Sequence, residues 1–332
     1  MLKDRKILVT GGAGFIGSHL VDELLRNNDV TVLDNFSHGR MEHVRHHLDN
    51  PRFRLVRRDL LQPLDDVVAG HDMVFHLAAN PDVKLGADDT SVHLEQNIVA
   101  THCLLEAMRR TGVDRIAFTS TSTVYGEASV VPTPEDYGPL KPISLYGSSK
   151  LSCEALISSY CHTFDMQSWI YRFANIVGQR GTHGVLVDFI RKLQQDPGEL
   201  EILGSGAQRK SYLEVHDCVQ AMVHCVKSSS HEVNIFNIGS QDHISVTEIA
   251  DVVVEKMELD DVSYRYTGGI DGRGWKGDVK VMLLSIEALQ RTGWTPRHNS
   301  RRSVELAVEA LLGEMAEKNG QEDGPGRMIR EE

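Results

Sequence analysis

Short apolar runs recur along the first half of the chain, and stretches with helical spacing separate them. Lys6-Ile-Leu-Val-Thr10 reads as a strand, followed by a glycine turn and an amphipathic helix over 18–26. Val30–Leu33, Phe53–Arg57, Met73–Leu77 and Arg115–Thr119 read as further strands, with helices over 90–111 and 144–164. Strands alternating with helices predict an α/β fold, a doubly wound parallel sheet with ligands at the carboxyl ends of its strands. Beyond Tyr171–Val177, read as one strand, the alternation becomes irregular. A helix over 185–196 follows, then a short strand Glu201–Leu203 and a strand Val233–Ile238 that returns to the neighbourhood of the main sheet. Ser245 and Glu248 have the spacing of a capping box. The reading is therefore two parts: 1–177, with 213–240 returning to it, and a smaller α/β part over 178–315. Residues 316–332, polar and without periodicity, are predicted to be disordered.

Composition narrows the class. The chain has 332 residues, 41% hydrophobic and 25% charged, as in soluble globular proteins. A net charge of −12 argues against a nucleic-acid binder, and no apolar run approaches the roughly 18 residues of a membrane span. Residues 1–20 read as the first strand and turn of a fold rather than a signal peptide. Cysteines 103, 153, 161, 218 and 225 have no pattern, which fits reduced thiols and a cytoplasmic setting. His43, His46 and His47 suggest one helix face, but no carboxylate or cysteine stands at a useful spacing, so no metal is expected.

The chemistry gathers at strand ends. Gly11, Gly14 and Gly17 follow the first strand: the first permits a tight turn, the second a close approach of pyrophosphate, the third close helix packing. Phe15 and Ile16 open the helix whose free amides face the phosphates. Together these predict a Rossmann-type dinucleotide site. Asp34-Asn35 ends the second strand, where a carboxylate accepts from both ribose hydroxyls and repels a 2′-phosphate, favouring NAD over NADP. Asp59-Leu60 is placed to reach the adenine, and Leu77-Ala78-Ala79 lets a cofactor lie against backbone. Thr119 ends a further strand, and Asn97 lies in the helix before it. Tyr146 and Lys150 are four apart, on one helix face. An ammonium beside a phenol lowers its pKa from about 10 towards neutrality, which makes Tyr146 a usable base.

Thr10–Gly17, Asp34-Asn35, Asp59-Leu60, His76–Ala79, Thr119–Gly126, Tyr146–Lys150 and Arg172–Asn175 together resemble the extended short-chain dehydrogenase/reductase family. Within it the chain is similar to nucleotide-sugar epimerases, above all UDP-glucose 4-epimerases of the archaeal type. The resemblance implies bound NAD, with Asn97, Thr119, Tyr146 and Lys150 completing the cofactor set, Tyr146 as the base at the sugar 4-hydroxyl, Lys150 holding the nicotinamide ribose, and Thr121 on the 4-oxygen, with a transient 4-keto sugar. Dehydratases of this family carry an Asp-Glu pair after the threonine, and UDP-glucuronate decarboxylases a glutamate. Here Ser122 and Thr123 follow Thr121. The implied substrate set is Thr121, Ser122, Thr123, Tyr146, Asn175, Lys210, Arg209, Tyr212 and Arg273, with Lys276 in reserve. Glu214 and Trp275 depart from the family pattern, Met282 falls near the position that gates N-acetyl hexoses, and Arg180 is a candidate reader of a sugar carboxylate. UDP-glucuronate and N-acetylhexosamine 4-epimerases are the alternatives; an NAD-dependent oxidoreductase or dehydratase is the more distant one. The resemblance also implies a homodimer through the helices over 90–111 and 144–164.

Overall fold

A computed structural model describes residues 2–275 and 277–322. In chain order the first elements are β1 (Lys6–Thr10), α1 (Phe15–Leu24), β2 (Asp29–Asp34), β3 (Phe53–Arg57), α2 (Asp65–Val68), β4 (Met73–His76), α3 (Leu85–Asp88), α4 (Ala100–Thr111), β5 (Arg115–Thr121), α5 (Leu145–Phe164) and β6 (Gln167–Phe173). They are followed by β7 (Asn175–Val177), α6 (Val185–Gln195), β8 (Glu199–Ile202), β9 (Arg209–Lys210), β10 (Tyr212–Glu214), α7 (Val215–Ser228) and β11 (Val233–Ile238). The last are β12 (Ile244–Ser245), α8 (Val246–Lys256), β13 (Ser263–Tyr266), β14 (Val281–Met282), α9 (Glu287–Arg291) and α10 (Ser300–Glu322).

Seven strands form one parallel sheet in the order β11-β6-β5-β4-β1-β2-β3. The chain starts in the middle, winds outward to β3, then crosses to β4 and winds the other way. This is the Rossmann-type doubly wound topology, with its crevice between β1 and β4. Strand side chains alternate between faces, so one strand feeds two cores. Ile7 and Val9 join α1 and α7 residues such as Leu20, Val21, Val219 and Met222. Leu8 between them joins Leu104, Met108, Cys153 and Ile157 of α4 and α5. Met73 and Phe75 against Val74 repeat the division on β4. Burial on both faces is why these strands read as continuous apolar runs. A third core, with Ile190, Leu193, Val252, Val253, Val308 and Leu311, holds α6, α8 and α10 together.

The structure differs from the sequence reading in three places. Tyr171–Val177 is not one strand: β6 ends at Phe173, and β7 begins at Asn175 and pairs with β10 in a separate two-stranded sheet. The helix over 90–111 has a π-helical turn, Leu94–Val99, leading into α4. Helix α10 runs to Glu322, so the segment expected to be disordered from 316 begins as helix. Its Ala, Glu and Lys residues are good helix formers and need no apolar stripe to extend an anchored helix. Residues 323–332 lie outside the described residues. No helix among the described residues is long and apolar enough to cross a membrane.

Candidate active site

The carboxyl ends of β1, β2, β4, β5 and β6 open into one cleft of about 1020 Å³. Its inner floor is bare backbone. Gly11 has a φ of 70°, and a Cβ there would meet the Ala78 nitrogen at 2.6 Å. A Cβ on Gly17 would stand 2.2 Å from the Gly11 carbonyl oxygen. Only glycine lets turn, helix and strand approach so closely. Gly11, Gly14, Phe15, Ile16 and Gly17 all line the cleft at the amino end of α1.

Asp34 is buried at the end of β2 and also faces the cleft. Its two oxygens accept from Ala13 N (3.0 Å) and Phe36 N (2.8 Å). Burial raises its carboxyl above the ordinary range, and those two N–H groups oppose the rise. Asn35 and Asp59 line the cleft joined to each other, Asn35 Nδ2 donating to Asp59 Oδ2 (2.7 Å). Leu60, Leu77, Ala78, Ala79 and Thr119 continue the wall. Gly39 was not singled out from the sequence; its Cα packs so closely on the Asp34 carboxylate that a Cβ would clash at 2.7 Å.

Asn97 does not line the cleft. It is 2% exposed, and its side chain faces inward. Asn97 Oδ1 accepts from Asn80 N (2.8 Å), and Nδ2 donates to Ser149 Oγ (2.9 Å). The π-turn leaves its backbone carbonyl to the Thr101 hydroxyl (2.6 Å). Ser149 passes this link on by donating to Tyr146 O (2.8 Å).

Tyr146 sits in the first turn of α5, which Ser144 caps by accepting from Gly147 N (3.1 Å). Lys150 lies one turn on and donates from Nζ to Thr119 O (2.8 Å). Both line the cleft with Thr121, Ser122 and Thr123. Thr121 Oγ1 accepts from Thr123 N and from Thr123 Oγ1, both at 3.2 Å. The electrostatics correct the sequence reading. Burial pushes the Tyr146 phenol well above 10, and burial lowers the Lys150 ammonium to about 8. Nζ stands 6.0 Å from the Tyr146 ring centroid and is bound to a carbonyl, so desolvation outweighs its field. Strand β5 is braced from behind: Ser120 Oγ donates to buried Glu154, which also pairs with buried Arg172 (2.7 Å). Tyr125 belongs to that brace, hydrogen-bonded to Arg172 and Asn237, and does not line the cleft.

On the outer side the structure sorts the basic candidates. Lys210 lines the cleft with Asn175 and Tyr212, and Nζ is held by buried Asp278 at 2.6 Å. Arg209 points elsewhere, to His243 (3.3 Å) and Glu248 (3.2 Å), because neighbours on a strand face opposite sides. Arg273 is also absent from the cleft. It pairs with Glu127 (2.6 Å) and donates to Asp278 O (2.5 Å), so it holds the loop that bears Asp278. Lys276 lies outside the described residues. Trp275 takes a place in the wall, with Lys84 and Lys210 over its ring at 4.9 and 5.2 Å. Arg180, the candidate carboxylate reader, turns away to Asp22 (2.8 Å), while Gly181, Thr182 and His183 face the cleft. Glu214 is explained locally: it caps α7 by accepting from His216 N and Asp217 N. Met282 lines the cleft beside Lys210. The histidines expected on one helix lie instead on two 3₁₀ turns, Met41–His43 and Arg45–His47. His43 bonds Ala13 O, whereas His46 and His47 meet Asp22 of α1, the carboxylate that sequence spacing hid.

Comparison with known proteins agrees with this geometry. The family model described as the NAD dependent epimerase/dehydratase family matches residues 7–239. A UDP-glucose 4-epimerase of Corynebacterium glutamicum is 31% identical over 318 residues, covering 90% of this chain and 93% of its own. UDP-glucuronic acid decarboxylase 2 of Arabidopsis thaliana is 32% identical over 317 residues, 92% of this chain and 68% of its own. A crystal structure of a UDP-galactose 4-epimerase superposes with a TM-score of 0.84 at 42% identity, covering 93% of this chain and 99% of the other. The bare glycine floor leaves room for a pyrophosphate, Asp34 faces the cleft from the end of β2, and the Tyr146–Lys150 pair stands at the far end, so the lining fits a dinucleotide and the comparison agrees: the chain belongs to the NAD dependent epimerase/dehydratase family.

Proposed function

We propose that the protein is an isomerase that inverts C4 of a UDP-hexose, interconverting UDP-glucose and UDP-galactose. One observation carries this over the family's other reactions. Among the described residues, the reacting end of the cleft presents Tyr146, Lys150, Thr121, Ser122 and Thr123 and no carboxylate; the described carboxylates that line the cleft are Asp34, Asp59 and Asp278. Dehydration and decarboxylation need an acid or base beyond the tyrosine, and reversible oxidation at C4 does not. The turn of Arg180 towards Asp22 also leaves a sugar carboxylate without that arginine.

Residues 1–177 with 213–240 hold the cofactor, and 178–315 hold the nucleotide sugar. When bound, NAD supplies the hydride acceptor and donor and a positive charge. The Gly11–Gly17 turn holds its phosphates, Asp34 and Asn35 a ribose, Asp59 and Leu60 the adenine end, and Lys150 the nicotinamide ribose. Tyr146 takes the proton from the sugar 4-hydroxyl and gives it back after the face exchange. A positive charge from the bound cofactor beside the phenol would favour its ionised form. Thr121 steadies the 4-oxygen. Asn175 and Lys210 hold the diphosphate, Tyr212 walls the nucleotide side, and Asn97 acts indirectly by fixing Ser149 and Tyr146. A symmetric dimer through the helices over 90–111 and 144–164 accounts for exposed Leu94, Val99 and Leu145 on these segments.

The test is incubation of the purified protein with UDP-glucose without added cofactor, followed by chromatography of the nucleotide sugars. Growth of UDP-galactose to a steady mixture is expected. No conversion of UDP-glucose, with turnover of UDP-glucuronate or a UDP-N-acetylhexosamine, would overturn the substrate and leave the chemistry in place.

A further inference from the structure

Away from the cleft, three metal-ligating side chains from two distant segments converge. Asp22 lies on α1, and His46 and His47 lie on the second 3₁₀ turn of the β2–β3 connection. His47 Nε2 is 2.6 Å and His46 Nε2 3.1 Å from the same oxygen, Asp22 Oδ1. The three ligand atoms lie within 4.8 Å of one another. Adjacent residues seldom aim at one point, and here the backbone turn and the packing make them do so. The two imidazoles lie against each other with centroids 3.9 Å apart, and Phe53 backs His47 at 5.6 Å. The other carboxylate oxygen is occupied: Arg180 Nη1 holds Asp22 Oδ2 at 2.8 Å. That ion pair orients the carboxylate from behind and leaves Oδ1 to face the rings.

The geometry points to a divalent transition-metal site formed by Asp22, His46 and His47. Two imidazole nitrogens and one carboxylate oxygen suit Zn²⁺, Co²⁺ or Ni²⁺ rather than Mg²⁺ or Ca²⁺, which prefer all-oxygen shells. Three protein ligands leave one tetrahedral position, and the His46 side chain is 48% exposed, so water reaches it. Ligand atoms now at hydrogen-bond distance move apart when an ion enters, since metal–ligand bonds of roughly 2.0–2.2 Å place tetrahedral neighbours about 3.3–3.6 Å apart. The Nε2 lone pairs bind the ion, so each ring keeps its proton on Nδ1.

The site is a clip on the cofactor side of the fold. His43 in the same connection bonds Ala13 O (2.9 Å), Arg40 N bonds that carbonyl too (3.0 Å), and Ala13 N bonds Asp34. An ion at Asp22 therefore ties the segment that covers Asp34 to α1. None of its three ligands lines the cleft, so the ion takes no part in the reaction there.

Co²⁺ added to chelator-treated full-length protein tests this. We expect visible d–d absorption of four-coordinate Co²⁺, saturating at one ion per chain and bleached by Zn²⁺. A His46→Ala/His47→Ala double variant should lose at least tenfold in Co²⁺ affinity, and Asp22→Asn should weaken binding as well. A His102→Ala control, exposed and outside the cluster, should bind as the parent does. Far-ultraviolet circular dichroism of each variant excludes loss of fold as the cause. Parent-like Co²⁺ spectra and affinity in the double variant would overturn the assignment. So would a parent that shows no tetrahedral spectrum and binds Co²⁺ no more tightly than the double variant does.

Discussion

The two halves of the cleft are built in different ways. The half proposed to hold the cofactor is made of strand ends and the turn that follows each: Gly11–Gly17 after β1, Asp34-Asn35 at the end of β2, Leu77–Ala79 after β4. The half proposed to hold the substrate takes Asn175 from the start of β7, Thr182 and His183 from a loop, Lys210 from β9, and Trp275 and Asp278 from a loop some seventy residues later. In the first half local sequence places the group, because a strand end in a parallel sheet has one direction. In the second, tertiary pairing decides. Arg209 and Lys210 are neighbours, and only the register of β9 between β12 and β14 sends one into the cleft and the other to Glu248.

Four changes would sharpen or break that contrast. The largest concerns the place where the halves meet. Tyr146→Phe should lower kcat by about 10²–10⁴-fold while NAD stays bound, read by steady-state assay and cofactor content. A parent-like kcat would remove Tyr146 as the base.

The second concerns the seam. His19 of α1 is buried and reaches Gln179 O on the substrate side at 2.9 Å. Burial lowers its pKa from 6.5 to about 4. The unfolded chain therefore takes up the proton first. The stability this neutral ring confers is intact above about pH 6.5 and is lost as pH falls towards 4, a span equivalent to about 3 kcal/mol. Urea melts across that window should show the decline, and His19→Gln should flatten it.

The third tests the cofactor half alone. Gly17→Ala places a methyl 2.2 Å from the Gly11 carbonyl, an overpacking that costs about 1–3 kcal/mol. Retained NAD should fall before substrate affinity does. The smallest effect separates neighbours in the substrate half. Lys210→Ala should raise KM roughly tenfold, about 1.4 kcal/mol, with kcat little changed, whereas Arg209→Ala should stay within about twofold. Equal effects would show that β9 does not discriminate between them.

The cofactor half was legible because its signals are contiguous. Gly11, Asp34 and Ala78 each follow an apolar run whose two-sided burial the composition already implies. What the sequence hid depended on desolvation or on distant partners. The i,i+4 spacing put Tyr146 and Lys150 on one face but could not reveal that burial raises the phenol or that Thr119 O holds Nζ. Asn97 was read as a cofactor contact; the π-turn aims it at Ser149 instead. Arg273 has the charge of a phosphate ligand but is engaged by Glu127, 146 positions earlier. Gly39 lacked a flanking motif, and only its contact with Asp34 marks it.

The break between β6 and β7 has a mechanical consequence. One segment enters the seven-stranded sheet as β6 and leaves as β7 in a two-stranded sheet, with Ala174 alone between them. Along that path, any tilt of the small sheet against the large one is confined to the torsions around a single residue. Ala174 N is held by Ile238 O (2.9 Å), and the next residue, Asn175, already faces the cleft. The pivot is thus anchored on the large sheet, and the chain beyond it begins at Asn175. Leu213 of β10 and Ile176 of β7 pack in the core of the large sheet, so the pivot is braced and Asn175 keeps its place at the cleft.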